Sequence, residues 1–309
     1  MSEIVNVGRE QVHVVRSGPM DGPPLLLDSG LGGAWFDWDP VAALLRDAHR
    51  VTVFDRPGLG ASPAGAAPPS LRRDVALAAA LAEGAGDGPV TVVAHSMAAF
   101  CAEALARVRP ELVRALVLVD PSHEHGAARA RMRLSPVLTP AFMAAGALLD
   151  LTGAAAVAGP RGRRAVLRHT TREGDPAPDS DVRSVYGRGT VLGTILAENC
   201  AYREMAADLA ALRARRPLPP VPLVVLTALG DVRRDGCRQA WADGHARLVA
   251  MSPRGRRVEL PEARHMIHLD RPDAVAAAVA EVHRDPQNAP PDAPPARPDA
   301  PAARHEETA

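Results

Sequence analysis

Hydrophobic positions along the chain fall into two alternating textures. Short runs rich in Val and Leu predict strands at 24–28, 51–55, 90–94, 115–120, 223–227 and 257–260, and residues 3–16 predict an opening strand pair turning near Gly8. Between them lie longer Ala- and Leu-rich stretches of helical period. A helix is predicted over 39–48, with Asp39 as N-cap and Pro40 at the first helical position. Others open at Ser70, run from Ser96 to Arg109 and Pro110, and span 272–283. Strands alternating with helices argue for an α/β protein with a mostly parallel sheet covered on both faces.

The strand pattern stops between 125 and 215. That segment reads as several short helices broken by Pro136, Pro140, Pro160, Pro176 and Pro178. The expected organisation is therefore a core over 1–124, a helical cap over 125–215, the rest of the core over 216–284, and a tail over 285–309. The tail is so rich in Pro and Ala that it cannot bury enough apolar surface to fold, and is expected to be disordered.

Composition adds limits. Lys+Arg and Asp+Glu both number 36, and all 36 basic residues are Arg, so no net field draws the chain to nucleic acid or an anionic membrane. No apolar run reaches the roughly 18 residues of a spanning helix, and the N-terminus lacks the apolar core of a signal peptide. Cys101, Cys200 and Cys237 are too few and too scattered for a disulfide framework or a paired-cysteine metal site. A cytoplasmic protein acting on a small molecule, without cofactor or metal, is the expectation; oligomeric state is open.

The segment VTVVAHSMAAF carries the strongest chemical signal. A serine nucleophile needs a raised, accessible Oγ, which a tight strand-to-helix turn provides. Only small residues fit two before and two after such a serine, and Ala94 and Ala98 occupy those places around Ser96. Met97 follows, where its backbone N–H would meet a developing oxyanion. On its own the motif is equally that of a serine capping a helix.

Four segments in order resemble the α/β-hydrolase superfamily over roughly residues 3–285. Ser29-Gly30-Leu31-Gly32-Gly33 resembles its glycine-rich oxyanion loop, with Ser29 where many members have His. Asp55-Arg56-Pro57-Gly58-Leu59-Gly60-Ala61-Ser62 is similar to its D-x-x-G-x-G-x-S loop. Ala94 to Ala98 resembles the nucleophile elbow, and Arg264-His265 followed by Pro272 resembles the segment presenting the base, with Arg264 in the usual Gly place. The resemblance implies a doubly wound sheet with a cap inserted after the sixth strand.

It also implies roles. Ser96 is the expected nucleophile and His265 the expected base, with His268 as rival. The acid is open: Asp231, in Ala228-Leu229-Gly230-Asp231, is preferred, with Asp120 at the end of ALVLVD and Asp235 as alternatives. The oxyanion donors would be Met97 and Leu31, with Gly32 as alternative. Trp35 and Phe36 could wall a substrate pocket, although aromatic residues are more often core. His123, Glu124 and His125 read as a polar loop rather than a metal cluster. The implied activity is hydrolysis of a small ester or related acyl substrate through an acyl-enzyme. Carbon–carbon bond hydrolysis, lactonase or thioesterase chemistry would use the same residues. A ligand-binding module that has lost catalysis is the alternative from a different class.

Overall fold

The computed structural model describes residues 1–124, 133–230 and 235–284. Eight strands form one sheet: β1 (Ser2–Val7), β2 (Glu10–Ser17), β3 (Pro24–Asp28), β4 (Arg50–Phe54), β5 (Val90–His95), β6 (Val113–Val119), β7 (Leu223–Ala228) and β8 (Gly255–Leu260). Their spatial order is β1-β2-β4-β3-β5-β6-β7-β8. The hairpin β1–β2 turns at Gly8, whose φ is +60°, and pairs antiparallel with β4. From β4 to β8 all pairings are parallel.

The helices are α1 (Asp39–Leu45), α2 (Leu71–Glu83), α3 (Ala98–Val108), α4 (Ser135–Leu151), α5 (Ala155–Thr170), α6 (Asp179–Tyr186), α7 (Gly189–Arg213), α8 (Asp235–Val249), α9 (Ile267–Asp270) and α10 (Pro272–Arg284). Side chains alternate across a strand, and the central strands are apolar at nearly every position because both faces are covered. Leu26, Val92, Leu116 and Val225 point to the layer with Leu77, Leu105 and Leu248 of α2, α3 and α8. Leu25, Leu27, Val93, Val117 and Val224 point to the opposite layer, where Val41, Leu45, Val275 and Val279 supply α1 and α10. Such two-sided cover is the doubly wound arrangement.

Four helices, α4 to α7, are inserted between β6 and β7. Glycines let α4 and α7 approach closely: a Cβ on Gly146 would lie 2.2 Å from the Gly189 carbonyl oxygen. The 25-residue α7 then packs Ala201, Met205 and Leu209 on Met97, Phe100 and Ala104 at the start of α3. The insertion therefore sits directly over the strand-to-helix turn that carries Ser96.

Some expectations shift. Asp39 is the first helical residue rather than the N-cap, so Pro40 falls second; Asp37 instead accepts the Ala34 N–H at 2.9 Å. Ser70 caps α2 as expected, accepting from the Arg73 amide. Helix α8 went unpredicted, because Gly236 and Gly244 interrupt its apolar pattern. The 285–309 tail lies outside the described residues. Among the described residues, no single helix is long and apolar enough to cross a membrane.

Candidate active site

Ser96 sits between the end of β5 and the start of α3 with φ of +53°, a left-handed conformation that is costly for a residue bearing a Cβ. The neighbouring strand fixes it there. Its amide donates to the Val119 carbonyl, and its carbonyl accepts from the Ser122 amide, both at 3.0 Å. Ala94 and Ala98 are almost wholly buried beside it, so the turn closes with methyl groups where glycine is usual.

His265 reaches over the strand ends from the loop between β8 and α9. Its Nε2 lies 3.0 Å from Ser96 Oγ, and its Nδ1 lies 2.7 Å from Asp120 Oδ2. Asp120 also has a positive φ, +41°, at the carboxyl end of β6. Its other oxygen, Oδ1, accepts from the Ala228 amide and from Trp241 Nε1, both at 2.9 Å. Among the described residues, the carboxylate at His265 is Asp120, the alternative to the preferred Asp231. Asp231 lies outside the described residues, as do the Asp235 side chain and His125. The resemblance of Ala228-Leu229-Gly230-Asp231 to a family motif favoured the later strand, but Asp120 directly follows β6, which lies between β5 and β7, and its carboxylate meets the imidazole.

The rival histidine is elsewhere. His268 is 1% exposed and stacks on Trp38 with ring centroids 4.7 Å apart. Burial lowers its pKa to about 4, so it stays neutral. His95 packs against both histidines and donates from Nε2 to the His265 carbonyl at 3.0 Å, buttressing the base loop. Burial holds its pKa well below the usual histidine value.

The glycine-rich loop lies against the nucleophile. A Cβ on Gly30 would stand 3.0 Å from Ser96 Cβ and 2.7 Å from His95 Nδ1, so only glycine permits the approach. Gly32 turns its amide toward Glu198 Oε2 at 3.4 Å, and the Gly33 amide donates to the Gly30 carbonyl at 3.2 Å. Met97 opens α3 immediately after Ser96.

The first residue of the D-x-x-G-x-G-x-S loop is structural. Asp55 accepts from His13 Nδ1, from the Trp35 amide and from the Ala61 amide, at 2.7, 2.8 and 2.8 Å. Phe36 does not offer a pocket wall. It is 2% exposed and enclosed by Trp35, Tyr186 and the Arg163 guanidinium, packing the insertion onto the core. Trp35 is half-buried, edge-on to His13. Downstream of Asp120, His123 packs on Trp241, and the Glu124 carbonyl accepts from Arg213 at 3.3 Å.

Two contributors escaped the sequence reading. Trp241 holds the acid, and no motif signals it. Arg264, in the place of a glycine, donates from Nη1 to the carbonyls of Thr171 and Arg168, at 2.7 and 3.1 Å, at the C-terminal end of α5. A cation is favoured there by the helix dipole.

Residues 25–278 match the family model described as the alpha/beta hydrolase family. The chain belongs to the alpha/beta hydrolase family. Two curated relatives are similar over part of their length. One is the carbamate-hydrolase candidate RutD of Variovorax paradoxus, 35% identical over 147 residues, which is 46% of this chain and 51% of that protein. The other is the lipase LipV of Mycobacterium tuberculosis, 39% identical over 111 residues, 36% and 42% of the two chains. The chain thus spans about half or less of the length of these relatives. Among solved structures, an N-formylmaleamic acid deformylase from Pseudomonas putida superimposes with a TM-score of 0.65 at 23% identity, over 90% of this chain and 100% of that one. A thermophilic esterase from Thermogutta terrifontis gives 0.63 at 18%, over 91% and 97%. These two share the alpha/beta hydrolase fold with this chain.

Proposed function

We propose that this chain is a serine hydrolase cleaving a small ester or related acyl substrate through an acyl-enzyme. The observation that carries the reading is the relay Asp120–His265–Ser96, continuous at 2.7 and 3.0 Å. Ser96 Oγ attacks the acyl carbonyl while His265 Nε2 takes its proton. Asp120 accepts from His265 Nδ1, which fixes the tautomer and stabilises the imidazolium. The tetrahedral oxyanion is met by the Met97 and Leu31 amides. As it collapses, the leaving group takes the proton from Nε2. Water then attacks the acyl carbon, giving its proton to Nε2, and the acid departs as Ser96 Oγ is reprotonated.

No step requires a cofactor or metal. The relatives named for carbamate, lipid ester and formyl-amide substrates all act at an acyl carbon, which supports this reaction class without selecting a substrate. The replacements Ala94, Ala98 and Arg264, which raised the alternative of an inactive binding module, are each accommodated by packing or hydrogen bonds.

Intact mass after incubation with a fluorophosphonate tests the reading. One adduct on wild type, absent from Ser96→Ala and His265→Ala, is expected. A folded wild type that takes no adduct would transfer the weight to the binding module.

A further inference from the structure

Arg56 is a wholly buried guanidinium beneath the glycine-rich loop. It donates from Nη1 to Asp28 Oδ1 at 2.7 Å and to the Ser29 carbonyl, and from Nη2 to the Gly30 carbonyl at 2.8 Å. Its Nε and Nη2 also meet Glu198 Oε1 and Oε2, at 2.7 and 3.0 Å. Asp28 ends β3, whereas Glu198 comes from α7 of the insertion and is fully buried. Burial opposes the charge on Arg56, but Glu198 and Asp28 outweigh it and keep the group charged.

The geometry of a trans peptide gives this contact a consequence. C=O and N–H of one peptide unit point in opposite directions across a rigid plane. Gly30 C=O and Leu31 N–H belong to the same unit. With the carbonyl held by Arg56 on one side, the amide must point to the other, and the Gly30 backbone is already packed against Ser96. Glu198 adds to this by accepting the next amide, Gly32 N–H, which removes that donor from the cleft.

We propose that Arg56, oriented by Glu198, is a positioning residue that aims the Leu31 N–H at the oxyanion formed on Ser96. This rests on the serine-hydrolase reading. A peptide flip would turn the Gly30 carbonyl toward the negative oxygen and take that acceptor from Arg56 Nη2 and from the Gly33 amide, which donates to it at 3.2 Å, so the clamp preorganises the hole before substrate arrives. It also couples the insertion to the chemistry, since half of the clamp comes from α7.

The test compares wild type with Arg56→Lys and Glu198→Gln on an ester that wild type hydrolyses. Lysine keeps the charge but lacks the planar fork that holds two carbonyls and two carboxylates together. The expected result is a fall in kcat of about tenfold to a hundredfold in both folded variants, as for a misaligned oxyanion donor. KM should stay within about twofold, and the affinity for an alkylboronate that forms a tetrahedral adduct should weaken in parallel with kcat. Unchanged kcat in either folded variant overturns the proposal. So does a fall confined to KM. Should the buried substitutions unfold the chain, the wild-type boronate adduct decides by crystallography. A boronate oxygen about 3 Å from Leu31 N, with Gly30 O still on Arg56, supports the clamp; an oxygen met by another loop amide overturns it. Failure of wild type to react with any fluorophosphonate or ester would instead strike the underlying function.

Discussion

The two halves of the site are held in different ways. The proposed nucleophile and acid stand on the sheet itself: Ser96 directly follows β5 and Asp120 directly follows β6, both with positive φ and both tied to backbone groups of neighbouring strands. The base loop and the oxyanion loop hang on the insertion. Arg264 donates to carbonyls at the end of α5, and the Met266 amide donates to Thr170 at 3.0 Å. Around the oxyanion loop, Glu198 of α7 meets Arg56 and Gly32, and Tyr186 of α6 donates to the Gly32 carbonyl at 2.9 Å. On the proposed mechanism, the sheet would thus fix where the reaction happens, while the inserted helices hold the two loops that carry His265 and Leu31. A substitution in the first half should abolish chemistry; one in the second should detune it.

The largest expected effect lies on the sheet. Asp120→Asn keeps the shape but no longer fixes the His265 tautomer, and kcat should fall by about 10⁴. Asp231→Asn should leave kcat within about threefold, as is usual for a substitution outside the reacting groups. Esterase kinetics on the two variants check the assignment directly, and a reversed pattern would restore the later aspartate as the acid.

Next in size is an effect on stability, in the layer beneath both halves. His268 is buried and neutral, with its pKa lowered to about 4, whereas the unfolded chain protonates near 6.5. Its contribution is complete above the unfolded value and is lost as the pH falls from about 6.5 toward 4. Across that window it amounts to on the order of 3 kcal/mol. Burial likewise lowers His245 and His283 to about 4, in the same direction. Asp28, pushed up to about 6 by burial against the pull of Arg56, acts oppositely and loses stability as the pH rises between about 4 and 6. Burial also lowers His49 and His95, in the direction of these three, and raises Asp39, Asp55 and Asp74, in the direction of Asp28, so the contribution of His268 is read by removing it alone. His268→Phe keeps a ring against Trp38 and should visibly shrink the drop in Tm between neutral pH and pH ~5. An unchanged drop would show that His268 is not the group that titrates.

Trp241 comes third. Trp241→Phe keeps the ring but removes the N–H that binds Asp120 Oδ1, leaving the Ala228 amide as the described donor to that oxygen. A loss of one hydrogen bond to a charged group is worth about 1.5 kcal/mol, so kcat should fall roughly tenfold with KM little changed. Equal activity would mean that the strand alone holds the acid.

The same division explains what was legible in the sequence. Strand runs, the doubly wound order and the turn that holds Ser96 were readable because glycine, alanine and strand-to-helix turns leave local signatures. Phe36 stayed open between pocket wall and core for a physical reason: aromatic residues beside a loop look alike whether they face a cleft or a helix, and its packing against Arg163 and Tyr186, more than a hundred residues away, shows it buried. The acid was ambiguous because several strands end in an aspartate, and pairing order, not chain order, selects among them. Arg56 stood within a recognised motif, yet its partners Asp28 and Glu198 lie far apart in the chain. Buried ion pairs of that kind carry no local periodicity.

The smallest effect sharpens the comparison most. Arg264 stands where glycine is usual, and Arg264→Gly removes the two side-chain bonds to the end of α5 while sparing backbone ties. The residue-264 amide still donates to Asp270 Oδ2 at 2.9 Å, and Met266 still donates to Thr170. The loss should be about 1 kcal/mol of stability, from hydrogen bonds and a favourable charge at a helix terminus. If the insertion truly aims the base, kcat should also fall, by about twofold to fivefold at constant KM, because His265 is the next residue along the same loop. A lower Tm with unchanged kcat would place the base with the nucleophile and the acid, held by His95 and the sheet. The insertion's influence on chemistry would then be confined to the oxyanion loop.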